Sequence, residues 1–111
     1  MTDHKISTIT VHELKKRLDA NPDLCIIDVR EDNEWEEQHI EGALHIPKDQ
    51  ITDKIAANVS EHDRPIYLHC RGGVRSLYAA NCLLDLGYKE VYSVEGGIAE
   101  WERSGYPVKK S

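Results

Sequence analysis

Two short, uninterrupted apolar runs constrain this chain most: Cys25-Ile26-Ile27-Asp28-Val29 and Pro65-Ile66-Tyr67-Leu68-His69. A strand with one wet face alternates apolar and polar residues, whereas a strand without alternation is buried on both faces. Such strands need helices above and below, which favours a largely parallel sheet in an α/β fold. The rest of the chain supplies those helices. Residues 11–20 carry Val11, Leu14 and Leu18 at helical spacing, and Asn21-Pro22 stops them. Residues 76–86 predict a strongly apolar helix ending at Gly87. Further helical segments are expected at 32–38, at 49–58 with Ile51 and Ile55 on one side, and at 98–104. Short strands at 7–10, 43–46 and 91–94 complete the alternation, while the first few residues and the Lys109-Lys110-Ser111 tail read as loose.

Length and charge bound the function. The 111 residues fit a single domain, 1–111, with a core at about 7–108. A formal charge of −6 argues against a general nucleic-acid binder, so an anionic substrate would need a local basic site. No run is apolar enough to span a membrane or to serve as an export signal. The three cysteines, Cys25, Cys70 and Cys82, form no CxxC pair; reduced thiols and a cytoplasmic location are the expectation. The six histidines show no metal-ligand spacing, and neither a metal nor another cofactor is expected.

The segment His69-Cys70-Arg71-Gly72-Gly73-Val74-Arg75-Ser76 is where chemistry is expected. A buried strand enters it and an apolar helix leaves it, and ligands of parallel sheets bind beyond the carboxyl ends of strands. Adjacent glycines let the backbone turn its N–H groups inward as an anion nest. The helix N-terminus adds partial positive charge, and Arg71 and Arg75 add formal charge. A free thiol titrates near ~8.5, so these features predict a Cys70 that ionises more readily than usual.

At this point the chain resembles the rhodanese family. Cys25 to Glu31 resembles the motif in which a strand ends in Asp-Val-Arg, and Glu34 to Ala43 the motif with an acid and an aromatic before Gly-His-Ile and Gly-Ala. Gln38 stands where that family usually has Gly, and His45-Ile46-Pro47 continues the motif. Cys70 to Arg75 resembles the active-site loop, Val94 to Trp101 the closing Gly-Gly and Trp motif, and Gly105-Tyr106-Pro107-Val108 the usual tail.

The resemblance implies a five-stranded, largely parallel sheet flanked by helices on both faces. It also implies a metal-free ping-pong sulfur transfer. Cys70 would take sulfane sulfur from thiosulfate or a similar small anionic donor, hold it as a persulfide, and pass it to cyanide or a thiol, a thioredoxin-like protein among the acceptors. Arg71, Gly72, Gly73, Val74 and Arg75 would hold the substrate, with Asp28, Arg30 and Ser76 in support. Arg30 is expected to pair with Glu34 or Glu36. Neither nucleic acid nor membrane is an expected partner.

Other readings compete with this one. Related phosphatases and arsenate reductases place Arg six residues after the nucleophile; here that position is Ser76, and Arg75 sits five after Cys70. A non-catalytic binding module has no need of a nucleophile. A persulfide relay to a protein or dithiol keeps the same chemistry with another acceptor. Cys25 and Cys82 read as packing residues, and Trp35 and Trp101 as covers over the sheet. His39 and His45 are expected to fix turns, Gly96 and Gly97 to permit one. The acidic stretch 31–37 reads as a solvated face or a surface for a basic partner.

Overall fold

The computed structural model describes residues 4–110. In chain order the elements are β1 (Ser7–Ile9), α1 (Val11–Ala20), β2 (Cys25–Asp28), α2 (Asp32–Glu37), β3 (Gln38–His39) and β4 (Leu44–His45). A 3₁₀ turn (Lys48–Gln50) leads into α3 (Ile51–Asn58), followed by β5 (Ile66–His69), α4 (Val74–Asp85), β6 (Val91–Val94), α5 (Gly97–Arg103) and β7 (Lys109–Lys110).

Five strands form one sheet in the order β1-β6-β5-β2-β4, with every neighbouring pair parallel. The two apolar runs lie side by side, with Asp28 of β2 opposite His69 of β5. Successive side chains of a strand point to opposite faces, and two separate cores result. Ile27, Ile66 and Leu68 pack with Ile51, Ile55, Ala79 and Leu83 from α3 and α4. Ile26 and Tyr67 pack with Val11 and Leu14 of α1 and with Ile98 and Trp101 of α5. Helices therefore cover both faces, as expected for uninterrupted apolar strands.

Boundaries moved where local chemistry overrode periodicity. β1 stops at Ile9 because the Thr10 hydroxyl accepts the Glu13 N–H at 3.1 Å and caps α1. α4 starts at Val74, two residues before the expected 76, because Gly73 takes a left-handed conformation (φ 108°) just ahead of it. The segment 49–58 divides into the 3₁₀ turn and α3. The tail is a correction: Lys109 and Lys110 are not loose but pair antiparallel with His39 and Gln38. Residues 1–3 and 111 lie outside the described residues. Among the described residues, no helix is long and apolar enough to cross a membrane.

Trp101 covers the sheet as expected, 1% exposed, with its indole N–H donating to the Pro107 carbonyl at 2.9 Å. Trp35 does not. It stands half-buried away from both cores, stacked against His39 and His45 with ring centroids 3.7 and 4.9 Å apart. The two imidazoles fix turns, His39 through the Trp35 carbonyl at 3.1 Å and His45 through the Arg30 carbonyl at 2.8 Å.

Candidate active site

Central strand β5 delivers Cys70 to the carboxyl edge of the sheet, and Gly73 and α4 turn the chain back over it. The Gly73 N–H donates to Cys70 Sγ at 3.0 Å. The Ser76 hydroxyl lies 3.7 Å from the same sulfur, 3.2 Å from the Gly73 carbonyl and 2.7 Å from the Ser93 hydroxyl. Ser76 and Ser93 are both buried, so β6 positions the hydroxyl that helps line the sulfur's cradle.

Burial is the largest influence on the Cys70 thiol and pushes its pKa up. The Ser76 backbone N–H, the Ser76 hydroxyl and the Gly73 and Gly72 N–H groups outweigh it, so the net direction is down. The fixed donors favour thiolate over thiol and more than offset the cost of burying the charge.

The loop's outer side is held by the start of α5. Ile98 N–H donates to the Cys70 carbonyl at 2.9 Å, and Ala99 N–H to the Arg71 carbonyl at 3.1 Å. Gly97 makes this approach possible. Its φ is +53°, and a β-carbon there would run into the Cys70 carbonyl and lie 2.6 Å from the Arg71 carbonyl oxygen. The pair Gly96-Gly97 is thus a docking point for the Cys70 loop as well as a turn.

Arg71 is exposed beside a recess of about 200 Å³ that Glu34, Glu37 and Glu102 also line. Arg75 forms a two-pronged ion pair with Glu34, at 2.6 and 3.0 Å. Val74 is 79% exposed and, with Leu77, lines a second recess of about 310 Å³ on the other flank of the loop.

Asp28 and Arg30 lie under this edge. The expected pairing of Arg30 with Glu34 or Glu36 is corrected. Its Nε and Nη2 bind both oxygens of Asp28 at 2.8–3.1 Å, and Nη2 also donates to the Gln38 carbonyl at 2.7 Å. The cause is burial: Asp28 is fully enclosed and needs a cation more than the half-exposed Glu34 does. Burial pulls the Asp28 pKa up, but His69 and Arg30 outweigh it and leave the pKa below the ordinary carboxylate value.

His69 is enclosed in the same layer. Its Nδ1 faces the Cys70 carbonyl at 3.4 Å, and its Nε2 has no hydrogen-bond partner, lying 3.7 Å from Asp28 Oδ2. Desolvation drives its pKa down, against the upward pull of Asp28.

The structure therefore brings Cys70, Gly72, Gly73 and Ser76 together, places Arg71 and Val74 on the rim, and leaves Arg75 tied to Glu34. Asp28 and Arg30 form a buried pair one layer below. Sequence reasoning missed Ser93, Gly97 and Glu34. A hydroxyl within a buried strand and a second Gly-Gly pair were the visible signals for the first two; only the sheet order brings them to the loop.

A doubly covered parallel sheet whose central strand leads into a cysteine cradled by amides defines an α/β domain with a candidate thiol nucleophile at its carboxyl edge. The profile of the rhodanese-like domain matches residues 10–104, and the chain belongs to that family. It is 38% identical over 103 residues to the probable adenylyltransferase/sulfurtransferase MoeZ of Mycobacterium tuberculosis, covering 93% of this chain and 26% of that protein. It is also 38% identical over 96 residues to the putative sulfur carrier protein YrkF of Bacillus subtilis, covering 86% and 51% respectively. The fold superimposes on a thiosulfate sulfurtransferase from Pseudomonas aeruginosa with a TM-score of 0.86 and 30% identity, over 96% of this chain and 20% of that one. The chain spans between about a fifth and about half of the length of these relatives.

Proposed function

We propose that this domain is a thiosulfate sulfurtransferase, moving sulfane sulfur from thiosulfate or a similar small donor to cyanide or a thiol through a Cys70 persulfide. The observation that carries this reading is the convergence of backbone N–H groups and the Ser76 hydroxyl on Cys70 Sγ. The names of the sulfurtransferase and sulfur-carrier relatives support it.

In the first step Cys70 thiolate attacks the outer sulfur of the donor. A new S–S bond forms, the old one breaks, and sulfite leaves with its electron pair. The persulfide's terminal sulfur carries the charge, and the N–H groups of Gly72, Gly73 and Ser76 that converge on Cys70 would hold it, as donors in an oxyanion hole hold an oxyanion. Arg71 attracts the anionic donor, and the buried Asp28–Arg30 pair holds the strand end beside His69. In the second step cyanide or a thiolate removes the terminal sulfur and restores Cys70. Splitting one transfer into two lowers each barrier. A thioredoxin-like protein is a fitting thiol acceptor, in which case the domain works as a persulfide relay.

The test is intact mass before and after thiosulfate. A gain of one sulfur, reversed by cyanide with thiocyanate release, is expected. No gain with thiosulfate or with any other sulfane donor, in folded and reduced protein, would favour a non-catalytic binding module.

A further inference from the structure

The two arginines of the Cys70 loop are not equivalent. Arg75 donates from both terminal nitrogens to both oxygens of Glu34, at 2.6 and 3.0 Å, a geometry that fixes direction as well as charge. Glu34 is itself fixed, because its Oε1 also accepts the Glu31 backbone N–H at 2.9 Å at the start of α2. The Arg75 and Glu34 side chains are 29% and 23% exposed, so solvent screens the pair only in part. Arg71 shares its recess with Glu34, Glu37 and Glu102 and with Arg30, whose charge is already paired with Asp28, and Glu95 lines the recess on the other flank. A doubly charged donor thus meets loop cations that carboxylates offset.

Resting on the sulfur-transfer reading, we propose that Glu34 is a specificity-determining residue. By holding Arg75 it lowers the use of dianionic thiosulfate relative to sulfane-sulfur donors of lower charge, such as alkylthiosulfonates and organic persulfides. With an alkylthiosulfonate, Cys70 thiolate bonds to the outer sulfur. The bond from that sulfur to the sulfonyl group breaks, and the sulfinate leaves with the electron pair. No oxidant or reductant is needed.

The experiment measures persulfide formation from thiosulfate and from methanethiosulfonate in wild type, Glu34→Gln and Asp53→Asn. The last removes an exposed acid on α3 and serves as the control. The thiosulfate-to-methanethiosulfonate rate ratio should rise about two- to fivefold in Glu34→Gln, the range for one partly exposed charge, and stay unchanged in Asp53→Asn. Alkylation of Cys70 by iodoacetate relative to iodoacetamide should rise in parallel. That ratio involves no sulfur transfer, so it still tests Glu34 if neither donor loads the wild type, the outcome that would instead defeat the sulfur-transfer reading. Unchanged ratios in folded Glu34→Gln, or an equal rise in Asp53→Asn, overturn the proposal. Should Glu34→Gln not fold, the wild type decides. Thiosulfate loading that is flat or rises with ionic strength is expected, and a steep fall overturns the proposal.

Discussion

Cys25 and Cys70 sit at opposite edges of the same two neighbouring strands. Cys25 opens β2 at the amino edge, Cys70 follows β5 at the carboxyl edge, and they are 5% and 1% exposed. Their thiols are nonetheless pushed in opposite directions. Burial pushes Cys25 up, and the charge of Arg64 offsets this only in part. Burial pushes Cys70 up too, but the Ser76, Gly73 and Gly72 donors reverse it. The difference teaches that enclosure alone makes a thiol inert. A nucleophile arises where the strand ends and the backbone turns its donors inward.

The bluntest way to break this comparison is to remove each sulfur in turn. Cys70→Ser should abolish the mass gain from thiosulfate. Cys25→Ser should keep it, at a stability loss of about 1–3 kcal/mol for a hydroxyl placed in an apolar core, measured by urea unfolding. Loss of loading in a folded Cys25→Ser would erase the distinction. Next comes Gly97→Ala, which forces a β-carbon against the Cys70 and Arg71 carbonyls at a positive φ. It should destabilise the domain by about 3 kcal/mol or more and reduce loading well beyond any change at Gly105, where a β-carbon meets open space.

A finer cut is Ser76→Ala. Without the hydroxyl, the Cys70 alkylation pKa should move up toward that of an ordinary thiol, and loading at neutral pH should fall about three- to tenfold. An unchanged pH profile would mean that the amides act alone. In wild type, Cys70 should alkylate with a midpoint below the ordinary thiol value, and Cys25 with one above it, read by peptide mass spectrometry across pH. The smallest effect is electrostatic. Arg75 foremost holds the Glu34 carboxyl down to about 2, from an ordinary 4.5. Its stabilising contribution is full above pH 4.5 and is lost as pH falls toward 2. Glu34→Gln should flatten that part of the stability profile, by less than about 1 kcal/mol for a partly exposed pair.

Much of this was legible in the chain. The uninterrupted runs at β2 and β5 required a doubly covered parallel sheet, and the Gly-Gly turn between β5 and α4 marked the candidate nucleophile. The ion pairs were not legible, because a sequence does not rank carboxylates by burial. Arg30 could reach several acids, and enclosure of Asp28 decided the outcome. Ser93 and Gly97 reach the site only through β5–β6 adjacency and the docking of α5. The β3–β7 ribbon escaped notice because two-residue strands carry no periodicity.

The docking of Ile98 and Ala99 onto the carbonyls of Cys70 and Arg71 has a consequence for synthesis. A chain leaving the ribosome presents Cys70 well before the residues that clasp its loop. β1, which among the described residues pairs with β6 alone, must also wait for the last quarter of the sequence. The loop around Cys70 therefore gains its outer clasp only once nearly the whole domain has emerged.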